Sequence, residues 1–316
     1  PFNPPATTEI STLLDTLPYT TLFRSRDPLC AFRHLRLDPR RCSGPAQGRP
    51  GPGRTGAVWR AARRADPVTG AALRRVAVPV ADLLRAPGGP RERQLLWGEE
   101  AGILEGRDGW SRVRAARDGY EGWLPDSVLS TPETPTHRVS AAATHLYEAP
   151  DFKSRDLHAL SFGARLQVER RSGRFARTPQ GYVPAAHLSP IGQLQSDPVK
   201  VAELFLGTPY LWGGNSRAGI DCSGLVQAAL LACGIPCPGD STPQEAELGA
   251  ALPGGTPPER GDLLFWKGHV ALVHDPGTLI HANAHHMAVA LEPLREAIAR
   301  IAAQGDGPVT AHKRLG

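Results

Sequence analysis

The 316-residue chain is 41% hydrophobic and 21% charged, which suits two or three folded domains and rules out a chain too polar to bury a core. Its net charge is +5, yet only Lys153, Lys200, Lys267 and Lys313 are lysines, and even the Arg-dense piece from Arg49 to Arg75 is broken by Gly and Pro, so no basic stripe for nucleic acid forms. No run approaches the roughly 20 apolar residues of a membrane-spanning helix, and five cysteines at irregular spacing leave at least one thiol free rather than making a paired framework.

The chain begins at Pro1 and its one methionine is Met287. It therefore reads as a product without its normal start, and the lack of a leader carries no weight. Leu17-Pro18-Tyr19-Thr20-Thr21-Leu22-Phe23-Arg24-Ser25 resembles, on back-translation, one frame of a sequencing adapter. From about Arg26 to Asp66 the sequence is rich in Arg, Pro and Gly without a period of 2 or 3.6, and reads as linker or disorder. Residues 1–68 are set aside on these grounds.

An internal repeat organises the middle of the chain. Arg75-Val76-Ala77-Val78 through Gly122-Trp123-Leu124-Pro125-Asp126-Ser127-Val128-Leu129 runs parallel to Arg138-Val139-Ser140-Ala141 through Gly181-Tyr182-Val183-Pro184-Ala185-Ala186-His187-Leu188. Within each copy, short alternating segments such as Ser111-Arg112-Val113-Arg114 are punctuated by Asp-Gly, Gly-Trp or Ser-Gly, the pattern of a small antiparallel barrel. The shared Gly-aromatic-(Leu/Val)-Pro ending resembles the bacterial SH3-like domain. Two such barrels are expected, at 69–132 and 133–192, joined by the stiff Thr131-Pro132-Glu133-Thr134-Pro135-Thr136 stretch.

The last third, residues 193–316, changes character. Asp197 as N-cap, Pro198 at the first helical position and Gly207 as terminator predict a short helix. Asp221-Cys222-Ser223-Gly224 leads into a second helix with one apolar face at 225, 226, 229, 230 and 233. Cys222 then lies at a helix N-terminus, where amides and dipole favour the thiolate and lower its pKa. A nucleophile needs a base, and two histidines flank a turn: His269 opens the alternating segment His269-Val270-Ala271-Leu272-Val273-His274, and His281 follows in Leu279-Ile280-His281-Ala282-Asn283. A loop centred on Asp275 would place His269 opposite His281, whereas a tight turn at Pro276-Gly277 would put them on opposite faces.

Tyr210-Leu211-Trp212-Gly213-Gly214, Asp221-Cys222-Ser223-Gly224, Gly261-Asp262-Leu263-Leu264-Phe265-Trp266, His269-Val270 and Ile280-His281-Ala282, in this order over roughly residues 193–301, resemble the NlpC-type peptidase family, papain-like cysteine endopeptidases of bacterial cell walls. The resemblance implies Cys222 as nucleophile, His269 as general base, His281 as the polar residue orienting it, and Tyr210 as a supporting hydroxyl. The chemistry agrees: the base takes the thiol proton, later protonates the leaving amine, and is held in one tautomer by its partner. Backbone amides at the helix start, including that of Cys222, would hold the oxyanion. Tandem SH3-like domains before such a domain resemble the γ-D-glutamyl-L-diamino acid endopeptidases, which cut murein peptides bearing a free N-terminal L-Ala. An ammonium in a closed pocket needs carboxylate and hydroxyl acceptors. The resemblance assigns these to Asp240 and Ser241, with Asp221 and Ser223 flanking the nucleophile, and to an aromatic hydroxyl from the first SH3-like domain, taken as Tyr120.

Plainer readings compete at several positions. Cys222 as a structural thiol is disfavoured by the Asp before it, the Ser-Gly after it and the downstream His. His274, His285 and His286 with His281 match no zinc template, so no metal and no cofactor is expected. Cys233 and Cys237 read as helix-end packing, Asp240 also fits a helix cap, and Trp97, Trp110 and Trp123 read as barrel core. The expectation is a multidomain chain, two small antiparallel β-barrels followed by an α+β papain-like domain, acting as a cysteine endopeptidase on murein peptide fragments. It would work in the cytoplasm, or in the periplasm or outside if a leader was lost. The alternative is a wall-binding protein whose SH3-like pair docks on intact peptidoglycan, with the last domain remodelling sacculi or only binding. A closed, amine-reading pocket distinguishes the first from the open groove of the second.

Overall fold

The computed structural model describes residues 72–316; the Leu17–Ser25 stretch and the Arg-, Pro- and Gly-rich segment 26–66 lie outside the described residues. The first unit is one seven-stranded antiparallel sheet of β1 (Leu73–Val76), β2 (Val80–Leu84), β3 (Arg91–Leu96), β4 (Glu100–Arg107), β5 (Trp110–Ala115), β6 (Glu121–Pro125) and β7 (Leu129–Ser130), in the order β3-β2-β6-β5-β4-β1-β7. Alternation puts Ala81, Leu83, Val113, Ala115 and Leu124 inward, where they meet Val76, Leu95 and Ala101 in one core. The Asp-Gly signal is a two-residue hairpin between β4 and β5, with Asp108 at φ 51° and Gly109 at φ 80°, the left-handed pair that a type I′ turn requires.

The second unit contains β8 (His137–Val139), β9 (Ala143–Tyr147), β10 (Asp156–Ser161), β11 (Arg165–Leu166), β12 (Arg170–Ser172), β13 (Phe175–Thr178), β14 (Gly181–Pro184) and β15 (Leu188–Pro190). These divide into a five-stranded sheet, β10-β9-β14-β13-β12, and a three-stranded sheet, β11-β8-β15. Two β units with two cores are therefore present, but they interlock rather than follow one another as beads. β3 ends at Leu96, and the turn at Gly98 (φ 74°) swings Trp97 out of its own strand alternation and into the core of the second unit, beside Val139, Leu146, Leu160 and Val183. The Arg165 amide donates to the Trp97 carbonyl at 2.8 Å. Glu133, within the expected linker, accepts from Gln180 at 2.8 Å and from Arg75 of the first unit. Of the three tryptophans read as barrel core, only Trp97 is buried, and in the neighbouring unit; Trp110 and Trp123 are half-buried, with the Arg107 guanidinium 5.2 Å over Trp123. A β unit of about 55 residues has too little interior to enclose three indoles, so Trp97 is buried in the neighbouring core while Trp110 and Trp123 stay part-exposed.

The last unit begins with α1 (Pro198–Glu203), capped by the Asp197 carboxylate, which accepts from the Val199 and Lys200 amides. This helix stops at Glu203, and residues 204–207 form turns rather than continuing it to Gly207. A short hairpin, β16 (Asn215–Ser216) and β17 (Gly219–Ile220), precedes α2 (Cys222–Ala232) and α3 (Ser241–Glu247). Then come β18 (Ala250–Ala251), β19 (Leu263–Trp266), β20 (His269–Asp275), β21 (Thr278–Asn283), β22 (Ala288–Pro293), α4 (Leu294–Gln304) and β23 (Ala311–Arg314), with the strands in one sheet ordered β18-β23-β19-β20-β21-β22. Both faces of the sheet are covered. Leu263, Phe265, Val270, Leu272, Ile280 and Ala282 pack with α1 and α2, and Leu264, Trp266, Ala271, Val273 and Leu279 pack on Ala297 and Ile301 of α4. The single apolar face expected for α2 is exceeded, because nine of its eleven residues are buried. The sheet covers one side, and Phe162 of the second unit joins the same core.

Gly98 tests the interlock. A Cβ there would lie 2.1 Å from the Arg165 carbonyl oxygen, whereas one at Gly88 (φ 68°) would meet nothing within 4 Å. Gly88→Ala should lose only the left-handed preference, about 1–2 kcal/mol. Gly98→Ala adds overpacking of a further 1–3 kcal/mol or so, so its urea midpoint should fall clearly below that of Gly88→Ala.

Candidate active site

Asp221 is the N-cap of α2, and its carboxylate accepts from the Gly224 amide at 2.7 Å and from the Gly213 amide at 2.9 Å. Cys222 is the first helical residue and is buried. The amides of Cys222 and Ser223 precede the first intrahelical acceptor and are free to hold an oxyanion. The lowered thiol pKa expected at this helix start is not found. Burial, followed by the charge of Asp221, pushes the Cys222 thiol up to about 12, although the Val270 and Ser223 amides and Arg93 act in the opposite direction. The resting sulfur is a neutral thiol, because removal from water costs the thiolate more than the helix start returns.

His269, the candidate base, stands at the same end of the sheet, since it immediately precedes Val270, whose amide acts on the sulfur. A bulge between Val273 and Asp275 sets Val273 against Leu279 and Asp275 against Thr278. The odd-numbered residues of β20 therefore share a face with the odd-numbered residues of β21. His269 and His281 meet on that face, neither on opposite faces nor at opposed positions, with His269 Nε2 2.9 Å from His281 Nδ1. His281 Nε2 is in turn 2.9 Å from Glu292 Oε2, and Arg300 grips both Glu292 oxygens at 2.7 Å.

This chain assigns the protons. An ionised carboxylate only accepts, so His281 Nε2–H donates to Glu292 and leaves Nδ1 bare. That Nδ1 accepts from His269 Nε2–H, which leaves His269 Nδ1 as the free lone pair. Burial, then His281, pushes His269 down to about 3, and burial lowers His281 despite the attraction of Glu292. Burial would raise Glu292, but hydrogen bonds from Arg300 and His281 hold it below the usual carboxylate range. Neither Glu292 nor Arg300 is visible as a site residue in the sequence. They lie across a strand–helix junction, where no simple spacing rule reads proximity.

The third component comes from outside this unit. Arg93, on β3, is 2% exposed and reaches Asp221 at 2.9 and 3.0 Å and Asp240 at 2.8 and 3.2 Å, with further bonds to Ser223 Oγ and the Gly239 carbonyl. Burial alone would lower its pKa; Asp221 and Asp240 reverse this and hold it above the ordinary arginine value. Asp240 occupies the N-cap position of α3 but makes no capping bond with its side chain; its carboxylate goes to Arg93 instead. The Tyr120 ring lies 6.0 Å from the guanidinium, and burial, then Asp240, pushes its hydroxyl up to about 12. The Tyr210 hydroxyl is raised by burial, then by Cys222 and Asp221. Tyr120, Tyr210, Asp221, Cys222, Ser223, Asp240 and Ser241 thus all line one cleft of about 310 Å³. Asp221 and Asp240 against Arg93 leave that group a net charge of −1, and the further lining carboxylate, Glu92, is paired with Arg85. The Gly-Gly of Trp212-Gly213-Gly214 has a reason here: Gly213 is left-handed (φ 71°), and a Cβ would approach the Glu92 carbonyl of β3 to 2.6 Å.

The remaining candidates lie elsewhere. His274 pairs with Glu203 and Asp275, both at 3.0 Å, and His285 stacks edge-on against His286. Among the described residues no cluster of three or more His, Cys, Asp or Glu is arranged for a metal. Cys233 and Cys237 are free thiols, and Cys237 is buried with the Gln244 amide donating to its sulfur at 3.4 Å.

Two measurements test this geometry. With a thiol near pKa 12, alkylation of Cys222 by iodoacetamide should rise about tenfold per pH unit from 7 to 9, because the thiolate fraction does; a plateau from acidic pH would show a preformed ion pair. Nitrogen-15 spectra of histidine-labelled protein at pH 7 should show both His269 and His281 protonated at Nε2, and Glu292→Ala should release that single tautomer.

Residues 207–302 match the model of the NlpC/P60 family, and residues 83–129 match that of the bacterial dipeptidyl-peptidase Sh3 domain. The chain is 27% identical over 245 residues to a gamma-D-glutamyl-L-lysine dipeptidyl-peptidase of Bacillus cereus, covering 64% of this chain and 70% of that protein. It is 28% identical over 233 residues to the protein of the same name in Bacillus subtilis, covering 66% and 77%. A solved NlpC/P60 family protein from Bacillus cereus superposes with a TM-score of 0.65 at 22% identity, over 77% of this chain and 99% of the other, and so shares the fold. The chain carries an NlpC/P60 peptidase domain preceded by a bacterial SH3 domain.

Proposed function

We propose that the protein is a cysteine endopeptidase that hydrolyses the γ-D-glutamyl–L-diamino acid bond of murein peptides with a free N-terminal L-Ala. The observation that carries this is the net charge of −1 left by Asp221, Asp240 and Arg93 beside Cys222, in a cleft walled by Tyr120 of the first β unit. An ammonium is the complement of that charge, and the Tyr120, Ser223 and Ser241 hydroxyls are further partners for its hydrogens. The two relatives named as gamma-D-glutamyl-L-lysine dipeptidyl-peptidases support the same bond and a cut two residues from the amine. The reading brings with it free peptide fragments rather than intact sacculi, and a cytoplasmic site of action.

In this mechanism, His269 Nδ1 takes the thiol proton as Cys222 Sγ bonds to the scissile carbonyl carbon. Both groups are neutral at rest, so charge separates only when the carbonyl oxygen, becoming an oxyanion, is met by the amides of Cys222 and Ser223. The imidazolium is stabilised through His281 by the Glu292 carboxylate. It returns its proton to the leaving amine as the C–N bond breaks, giving a thioester. Water, deprotonated by the same nitrogen, then releases the dipeptide and restores the thiol.

The test is hydrolysis of L-Ala-γ-D-Glu-L-Lys and its meso-diaminopimelate counterpart, with and without N-acetylation. Only the free-amine peptides should be cut, and Cys222→Ala should abolish cleavage. Asp240→Asn, which removes the surplus charge, should lower kcat/KM by roughly 10- to 100-fold, the range expected for losing a charge-assisted hydrogen bond, while alkylation of Cys222 stays near the wild-type rate. Since an α-amine titrates near pH 8, KM should rise above about that pH as the ammonium is lost. Equal cleavage of acetylated peptide, or activity on intact sacculi alone, would replace this reading with wall remodelling.

A further inference from the structure

At the C-terminal half of α2 a separate cavity of about 460 Å³ opens where the three units meet. Arg138 of β8 and Arg165 of β11 both line it, and they are directly opposed in the antiparallel register. Like charges so placed repel rather than stabilise. The other buried arginine side chains have carboxylates: Arg75 has Glu133, Arg93 has Asp221 and Asp240, and Arg117 has Glu99. Arg138, buried at 9% exposure, is different. It donates only to the Gln193 and Ala232 carbonyls, at 2.7 and 3.0 Å, and its Nε is buried without a partner.

The third arginine at the cavity, Arg117, adds nothing to the excess: Glu99, which also lines the cavity, and Asp118 approach it at 2.9 and 3.4 Å, and two carboxylates against one guanidinium leave that group at −1. Arg138 and Arg165, neither of them in an ion pair, outweigh that group by one charge, so the cavity stays net positive within an apolar surround of Leu96, Phe162 and Leu231, with Leu194 exposed at the lip. Asn215 also lines the cavity, and its side-chain oxygen is buried without a donor.

We propose that this cavity is a binding site for a small oxyanion, held by Arg138 and Arg165, on a body that is partly apolar and offers a donor to Asn215. An oxyanion fits because guanidinium groups present parallel N–H donors to phosphate or carboxylate oxygens, and because its charge relieves the repulsion across the β8–β11 register. Neither arginine belongs to the cleft that contains Cys222, so this site is independent of the catalytic reading.

The probes are inorganic phosphate and hexyl phosphate, titrated into the full chain by calorimetry and thermal melting, with sodium chloride at matched ionic strength as reference. A saturable rise in melting temperature with phosphate beyond that in chloride is expected. Hexyl phosphate should bind roughly tenfold tighter, because its methylenes leave water. Cys222→Ala and Asp240→Asn should bind as the wild type does, whereas Arg165→Gln should weaken both probes at least about tenfold through loss of a charged hydrogen bond. Arg138→Gln should do the same. If burial of that substitution prevents folding, the half-buried Arg165→Gln decides alone. A response no greater than that of chloride, or one unchanged in Arg165→Gln, would overturn the proposal.

Discussion

The buried guanidinium of Arg93 is the interaction on which the arrangement of this protein rests. A charge at 2% exposure persists only if it is paired and its hydrogen-bond donors are used. Here the pairing groups belong to another unit, more than 120 residues further along the chain. Separating the first β unit from the NlpC/P60 domain would leave an unpaired cation on one side and two unpaired carboxylates beside a thiol on the other. The SH3 domain is thus bound into the cleft rather than tethered near it. The same contact leaves one negative charge uncompensated and supplies Tyr120 as a wall, so docking the domain and building the cleft are a single event.

Around Cys222 and the two histidines, burial sets the resting state. The thiol and both imidazoles are neutral because each is disfavoured as an ion away from water. Glu292 is the exception: Arg300 satisfies it on both oxygens, so it remains charged and directs the two histidines. The orientation of His269 is set three groups deep, from Arg300 on α4 through Glu292 on β22 and His281 on β21. Each lies on a regular element, which is what lets bonds near 2.9 Å accumulate without slack.

The β units show how small cores are completed. Neither encloses all of its apolar surface. Trp97 of the first closes the core of the second, and Phe162 of the second joins the core beneath α2. α2 consequently lies in a protein interior from end to end, and its N-terminus, with Cys222, is held from several sides.

Much of the site is written locally. The Asp-Cys-Ser-Gly run carries its own cap and helix start, the alternation around His269 and His281 makes adjacent strands, and Asp108-Gly109 makes its hairpin, because each depends on side chains within a few residues. Three things were decided only by the tertiary structure. Arg93 looks like any other arginine of an Arg-rich repeat until two distant carboxylates close around it. The facing of His269 and His281 hangs on a single bulge between Val273 and Asp275, which the turn sequence leaves open. The thiol pKa follows the opposite direction from the helix-start argument, because desolvation is a property of everything packed around Cys222 and not of its neighbours in the chain.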